Sequence, residues 1–130
     1  MYPTHFKGLL GELSFIVHLV EKGYVVLTPI NSNSCYDIVA EKDGKFTRIQ
    51  VKYLTSKNGR LRVELDRPKR KTKTYMDRDV DAMGVYDSKN KKFYLIPISS
   101  IHHKSEIWLR VSQPRNSQVK NINFAEEFEF

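Results

Sequence analysis

The sequence predicts an α+β or mixed α/β chain, in which an N-terminal helix packs on a mixed central β-sheet. Three observations predict it. Apolar residues recur at helical spacing near the N-terminus. From Tyr24 onward, short runs rich in β-branched and aromatic residues read as strands. Between two of these runs stands Asp43-Gly44, a two-residue hairpin signal.

The helix is expected over residues 8–22. Leu9, Leu10, Leu13, Ile16, Val17 and Val20 form one apolar stripe, expected to face the core. Thr4 or His5 stands near its start without a clear cap, and Gly23 is a stop signal. Tyr24 to Ile30 reads as a strand, and Asn31 to Ser34 as a polar loop. Tyr36 to Lys42 and Lys45 to Thr55 read as paired strands. Further strands are expected at Arg60 to Leu65, Ala82 to Tyr86, Phe93 to Ile98 and Ile107 to Val111. A short helical turn is expected at Ile101 to Lys104 and a loop over 113–123. The tail from Phe124 to Phe130 alternates aromatics and acids without an assignment. No repeat, linker or low-complexity segment divides the 130 residues, so one domain, 1–130, is expected.

The formal net charge is +7, which suits a polyanionic partner, because each neutralised phosphate releases condensed counterions. The one cysteine, Cys35, allows no intramolecular disulfide and fits a reducing compartment. No signal-peptide pattern and no run long enough to span a bilayer is present, so a cytoplasmic protein without membrane contact is expected.

With Asp43 and Gly44 central in the turn, opposite residues sum to 87, so Ile38 faces Ile49 and Asp37 faces Gln50. Lys52 shares the Gln50 face, while Ile49, Val51 and Tyr53 form a core face. The register gathers a carboxylate, an amide and an ammonium group at the open end of the hairpin. Phosphodiester hydrolysis asks for such a set. A divalent cation polarises the phosphate and acidifies an attacking water. Mg²⁺ accepts one or two carboxylates plus waters. Asp37 is the expected ligand, Gln50 a neutral one, and Lys52 the group that holds the water or steadies the phosphate charge. Glu12, at the margin of the helical stripe, is the expected fourth member. Taken singly, each has a bland explanation as a turn, a solvated helix residue or a solvent face. The shared register is what raises the joint reading.

At these residues the sequence resembles the PD-(D/E)XK nuclease superfamily, whose pattern is a helical Glu, an Asp, then acid-x-Lys on the next strand. Here it reads Gly11-Glu12, Tyr36-Asp37-Ile38-Val39 and Ile49-Gln50-Val51-Lys52. The segment from Asp79 to Tyr86, with Phe93 to Ile98, is similar to the paired strands that follow the core in small members. Two positions depart from the pattern: Tyr36 replaces Pro, and Gln50 replaces the acid. Gln at that place resembles the PD-(D/Q)XK form of a group I intron homing endonuclease of cyanobacterial type, as does the Gly-x-x-Gly-Glu start from Gly8 to Glu12. The resemblance implies a restriction-endonuclease-like core and a catalytic set of Glu12, Asp37, Gln50 and Lys52. It implies metal held by Asp37, Gln50 and Glu12, with Mg²⁺ or another divalent cation such as Mn²⁺ as cofactor. It also implies sequence-specific double-strand cleavage of DNA by a homo-oligomer, dimer or tetramer. Two alternatives stand beside it: a structure-specific nuclease similar to archaeal Holliday-junction resolvases, and a decayed nuclease that only binds DNA.

For DNA contact, the basic run Arg67, Lys69, Arg70, Lys71 and Lys73 is expected to be an exposed loop or ribbon. Arg60 and Arg62 share one strand face, and Arg48 shares the Gln50 face, so these also qualify. His102 and His103 read as surface or interface residues, and Tyr53 and Trp108 as core.

Overall fold

The computed structural model describes residues 3–65, 79–101, 104–112 and 122–130. Helix α1 runs Thr4–Glu21, four residues longer at its start than the apolar spacing predicts; Pro3 precedes it and no side chain caps it. The strands are β1 (Val25–Leu27), β2 (Ile38–Lys42), β3 (Lys45–Leu54), β4 (Arg60–Glu64), β5 (Ala82–Asp87), β6 (Lys92–Pro97), β7 (Glu106–Arg110) and β8 (Asn123–Phe124). 3-10 turns lie at Ile98–Ser100 and Ala125–Phe128. Pro97, which has no amide hydrogen to donate, stands immediately before the first of these. The helical turn expected at Ile101 to Lys104 includes His102 and His103, which lie outside the described residues. No described helix is long and apolar enough to cross a membrane.

Five strands form one sheet in the order β1-β2-β3-β5-β6, and β4-β7-β8 form a second. Only β3 and β5 pair in parallel within the larger sheet; its other neighbours are antiparallel. A parallel pair needs a long crossover. Here the crossover contains β4, which leaves the larger sheet to pair with β7, 44 residues from it in sequence at Arg62 and Glu106.

The β2–β3 turn takes φ of 53° at Asp43 and 78° at Gly44. Positive φ at both central residues is the hairpin geometry that matches strand twist. It fixes Lys42 opposite Lys45 and Ile38 opposite Ile49. The ladder ends there. Asp37 lies outside it, and its amide donates to the Ile49 carbonyl at 2.9 Å instead of pairing with Gln50 as the register predicts.

Each face of the larger sheet has its own core. Phe15 and Leu19 of α1 cover Ile38, Ala40, Ile49 and Val51 on one face. Met83, Val85, Tyr94 and Ile96 pack on the other against Leu61, Val63, Ile107 and Leu109 of the smaller sheet. Most of the expected core stripe of α1 is therefore misplaced. Leu9, Leu13, Val17 and Val20 are exposed, and the buried positions are Gly11, Phe15 and Leu19. Trp108, expected in the core, is likewise exposed on β7.

Candidate active site and nucleic-acid interface

Alternation along β3 puts Ile49 and Val51 under α1, and Gln50 and Lys52 on the opposite face. There Gln50 stands beside Met83 and Lys52 beside Val85 of β5. Glu12 comes from α1, on the other side of the sheet. Asp37 connects the two sides, because it sits where β2 has left the ladder. One of its carboxylate oxygens accepts the Val51 amide at 2.8 Å. Its carboxyl is coupled electrostatically to both Glu12 and Lys52.

The electrostatics follow from burial. Partial burial pushes the Asp37 pKa upward, and the Val51 hydrogen bond and the Lys52 charge only partly offset this. Burial raises Glu12 as well, and the nearby Asp37 charge adds to it. The Lys52 ammonium is pushed downward by its own burial, while Glu64 and then Asp37 hold its proton. Two acids that resist ionisation beside one another have the chemistry of a cation site. A hard divalent ion between them removes the mutual repulsion that raises both. Among the described residues no group of three or more His, Cys, Asp or Glu could hold a metal. Gln50, an amide, is the neutral ligand that the sequence reading adds to these two acids. With several waters retained, this set fits Mg²⁺.

Of the basic residues expected to touch DNA, Arg48 is placed differently. Its guanidinium forks onto Asp81, Nε to Oδ2 and Nη2 to Oδ1, both at 3.0 Å, and its amide donates to the same carboxylate at 2.8 Å. This pair fixes β3 beside β5 and holds the Asp81 pKa below the usual carboxylate range. Asp81 was not singled out from the sequence, since only the parallel register brings it to Arg48. Arg62 is paired with Glu106 and Glu64 at 2.8 and 2.9 Å. Arg60 lies over the Trp108 ring, 5.0 Å from its centroid. Arg60 also sits directly opposite Arg110 across β4 and β7. The basic run from Arg67 to Lys73, together with His102 and His103, lies outside the described residues.

The family model described as PD-(D/E)XK endonuclease matches residues 2–130. The chain belongs to the PD-(D/E)XK endonuclease family. Within this PD-(D/E)XK chain, a 56-residue stretch is 36% identical to Protein 5.3 of Escherichia phage T7, covering 43% of the chain and 48% of that protein. The chain thus spans about half the length of that relative. The bacterial homing endonuclease I-Ssp6803I shares the fold. The two superpose with a TM-score of 0.80 over 98% of this chain and 89% of that one, at 24% identity. The restriction-endonuclease-like core expected of the PD-(D/E)XK resemblance is the one observed.

Proposed function

We propose that this PD-(D/E)XK protein is a sequence-specific, divalent-metal-dependent DNA endonuclease that makes double-strand cuts, of the intron-homing kind. The whole chain acts as one nuclease domain in the cytoplasm, as a homo-oligomer. The observation that carries the reading is Asp37, which stands just before β2 and is coupled electrostatically to Glu12 and to Lys52. Asp37 and Glu12 hold the cation, with the Gln50 amide as a neutral ligand. Bound there, Mg²⁺ or Mn²⁺ supplies charge stabilisation at the phosphate and a more acidic water. Lys52 keeps its charge beside Glu64 and Asp37 and donates a hydrogen bond from its ammonium group to the water or to a phosphate oxygen.

The test is cleavage of long duplex DNA. Wild-type protein is expected to make double-strand breaks in Mg²⁺ and none in excess chelator. Gln50→Glu is expected to tighten metal binding and to retain cutting. If only the Gln50→Glu variant cuts, the chain is a DNA-binding module and the endonuclease reading fails.

In this reading the duplex lies along the outer face of β4 and β7. Arg60 and Arg110, opposite one another across β4 and β7, offer two cations to the phosphate backbone, and Trp108, 43% exposed beside them, meets the DNA. Trp108 is the one tryptophan in the chain, so its fluorescence reports this face directly. Titration with duplex DNA is expected to change that emission. Arg60→Ala and Arg110→Ala are each expected to lower the slope of log affinity against log salt by about 0.9. Unchanged slopes in both variants would place the DNA elsewhere.

A further inference from the structure

Helix α1 is apolar on two opposite sides. Gly11, Phe15 and Leu19 face the sheet. Phe6, Leu9, Leu13, Val17 and Val20 project outward, with 50, 51, 50, 58 and 56% of their surface exposed. A helix that carries a second apolar face beyond the one packed on its own sheet normally has that face covered too. Scattered exposed apolar residues are ordinary, but five on one stripe of a single helix form a continuous patch.

The stripe is its own complement. About Leu13, Phe6 mirrors Val20 and Leu9 mirrors Val17. A second α1 laid antiparallel, with a two-fold axis at Leu13, therefore sets apolar residue against apolar residue along about 21 Å of helix. The flank that meets itself in this arrangement carries Lys7 near one end and Glu21 at the other. Antiparallel pairing brings these opposite charges to the same end of the pair, whereas a parallel one would set each against the opposite flank of its partner. The patch offers on the order of 500 Å² per copy, or about 1,000 Å² across the pair, the size at which specific interfaces begin. We propose that the outward face of α1 is the contact with a second copy of this chain, antiparallel and two-fold about Leu13. This contact stands whether or not the protein cuts DNA.

Light scattering and sedimentation test it. Leu13→Glu puts two carboxylates at the two-fold axis, and is expected to halve the mass of the wild-type species at micromolar concentration. The position is outward, so circular dichroism is expected to remain that of the wild type. The orientation has its own test under mild oxidation. Leu13→Cys is expected to cross-link to itself. Leu9→Cys is expected to cross-link only when mixed with Val17→Cys. A monomeric wild-type protein at those concentrations overturns the contact, as does a Leu13→Glu species of unchanged mass. Self-linking of Leu9→Cys as complete as that of Leu13→Cys overturns the antiparallel arrangement. Cleavage is scored separately: a dimer that does not cut sinks the endonuclease reading alone, and a monomer that cuts sinks only the contact.

Discussion

Asp37→Asn will bind duplex DNA but cut it at least about 10³-fold more slowly than the wild type, the loss expected when several kcal/mol of metal-borne stabilisation disappear. The substitution is close to isosteric. The amide oxygen of the new side chain can still accept the Val51 amide, which Asp37 does at 2.8 Å, so the strand ends should stay in place. What is lost is the charge that links Glu12 to Lys52. A binding measurement then separates the two roles, because DNA affinity at a metal-free site should change little. Thermal unfolding gives a second check. Burial raises both Asp37 and Glu12, so the folded state favours their protonated forms. Their contribution to stability is therefore present in acid and is lost as pH rises through the elevated pKa values. A divalent cation should reverse that loss. The wild-type Tm is expected to rise with Mg²⁺ at neutral pH, with the response fading as pH falls into the carboxylate range. The variant should show a much smaller response. Equal cutting by Asp37→Asn and wild type would remove Asp37 from the site.

Gly84→Val is expected to lower stability by about 3 kcal/mol or more, at or beyond the upper end for overpacked cores, and to depress Tm by roughly 10 °C or more. A Cβ on Gly84 would come within 2.9 Å of both Ile49 Cγ2 and the tip of the Phe15 ring. Both neighbours are fully buried, so neither has free space to move into. The helix would have to lift from β5. Because the same helix carries Glu12, cleavage should fall further than the unfolded fraction explains. Gly84→Ala gives the milder point in the series. Denaturant melts showing either variant as stable as the wild type would mean that α1 rides higher on the sheet than described.

The hairpin from Ile38 to Ile49 was legible because Asp43-Gly44 admits one tight geometry, and that turn sets every pair up to Ile49. The grouping of Asp37 with Lys52 followed from it. The end of the ladder did not. Asp37 bonds the Ile49 carbonyl, a shift by one residue that no turn chemistry encodes. Helical spacing located α1 but chose the wrong side, since Leu9 and Leu13 carry the same periodic signal as Phe15 and Leu19. Periodicity states that a stripe exists and does not say what it meets. The smaller sheet was invisible for another reason. Arg60–Glu64 finds its partner in Glu106–Arg110 far along the chain, and strand runs alone do not announce which partners they take. Trp108 was misjudged with it, because exposure on β7 depends on which side that sheet turns toward Met83 and Val85.

The glutamine at position 50 has one more consequence, concerning the order of assembly. At the proposed site, with Asp37 and Glu12 ionised and Lys52 protonated, the side chains would sum to one net negative charge before the metal binds; an acid at position 50 would make it two. A divalent cation therefore turns this site net positive, whereas it would leave the acidic version neutral. The site thus attracts its cation less strongly and, once filled, attracts a phosphate more strongly. Metal and DNA should consequently help one another bind, so that metal affinity measured without DNA understates the affinity that operates on the duplex.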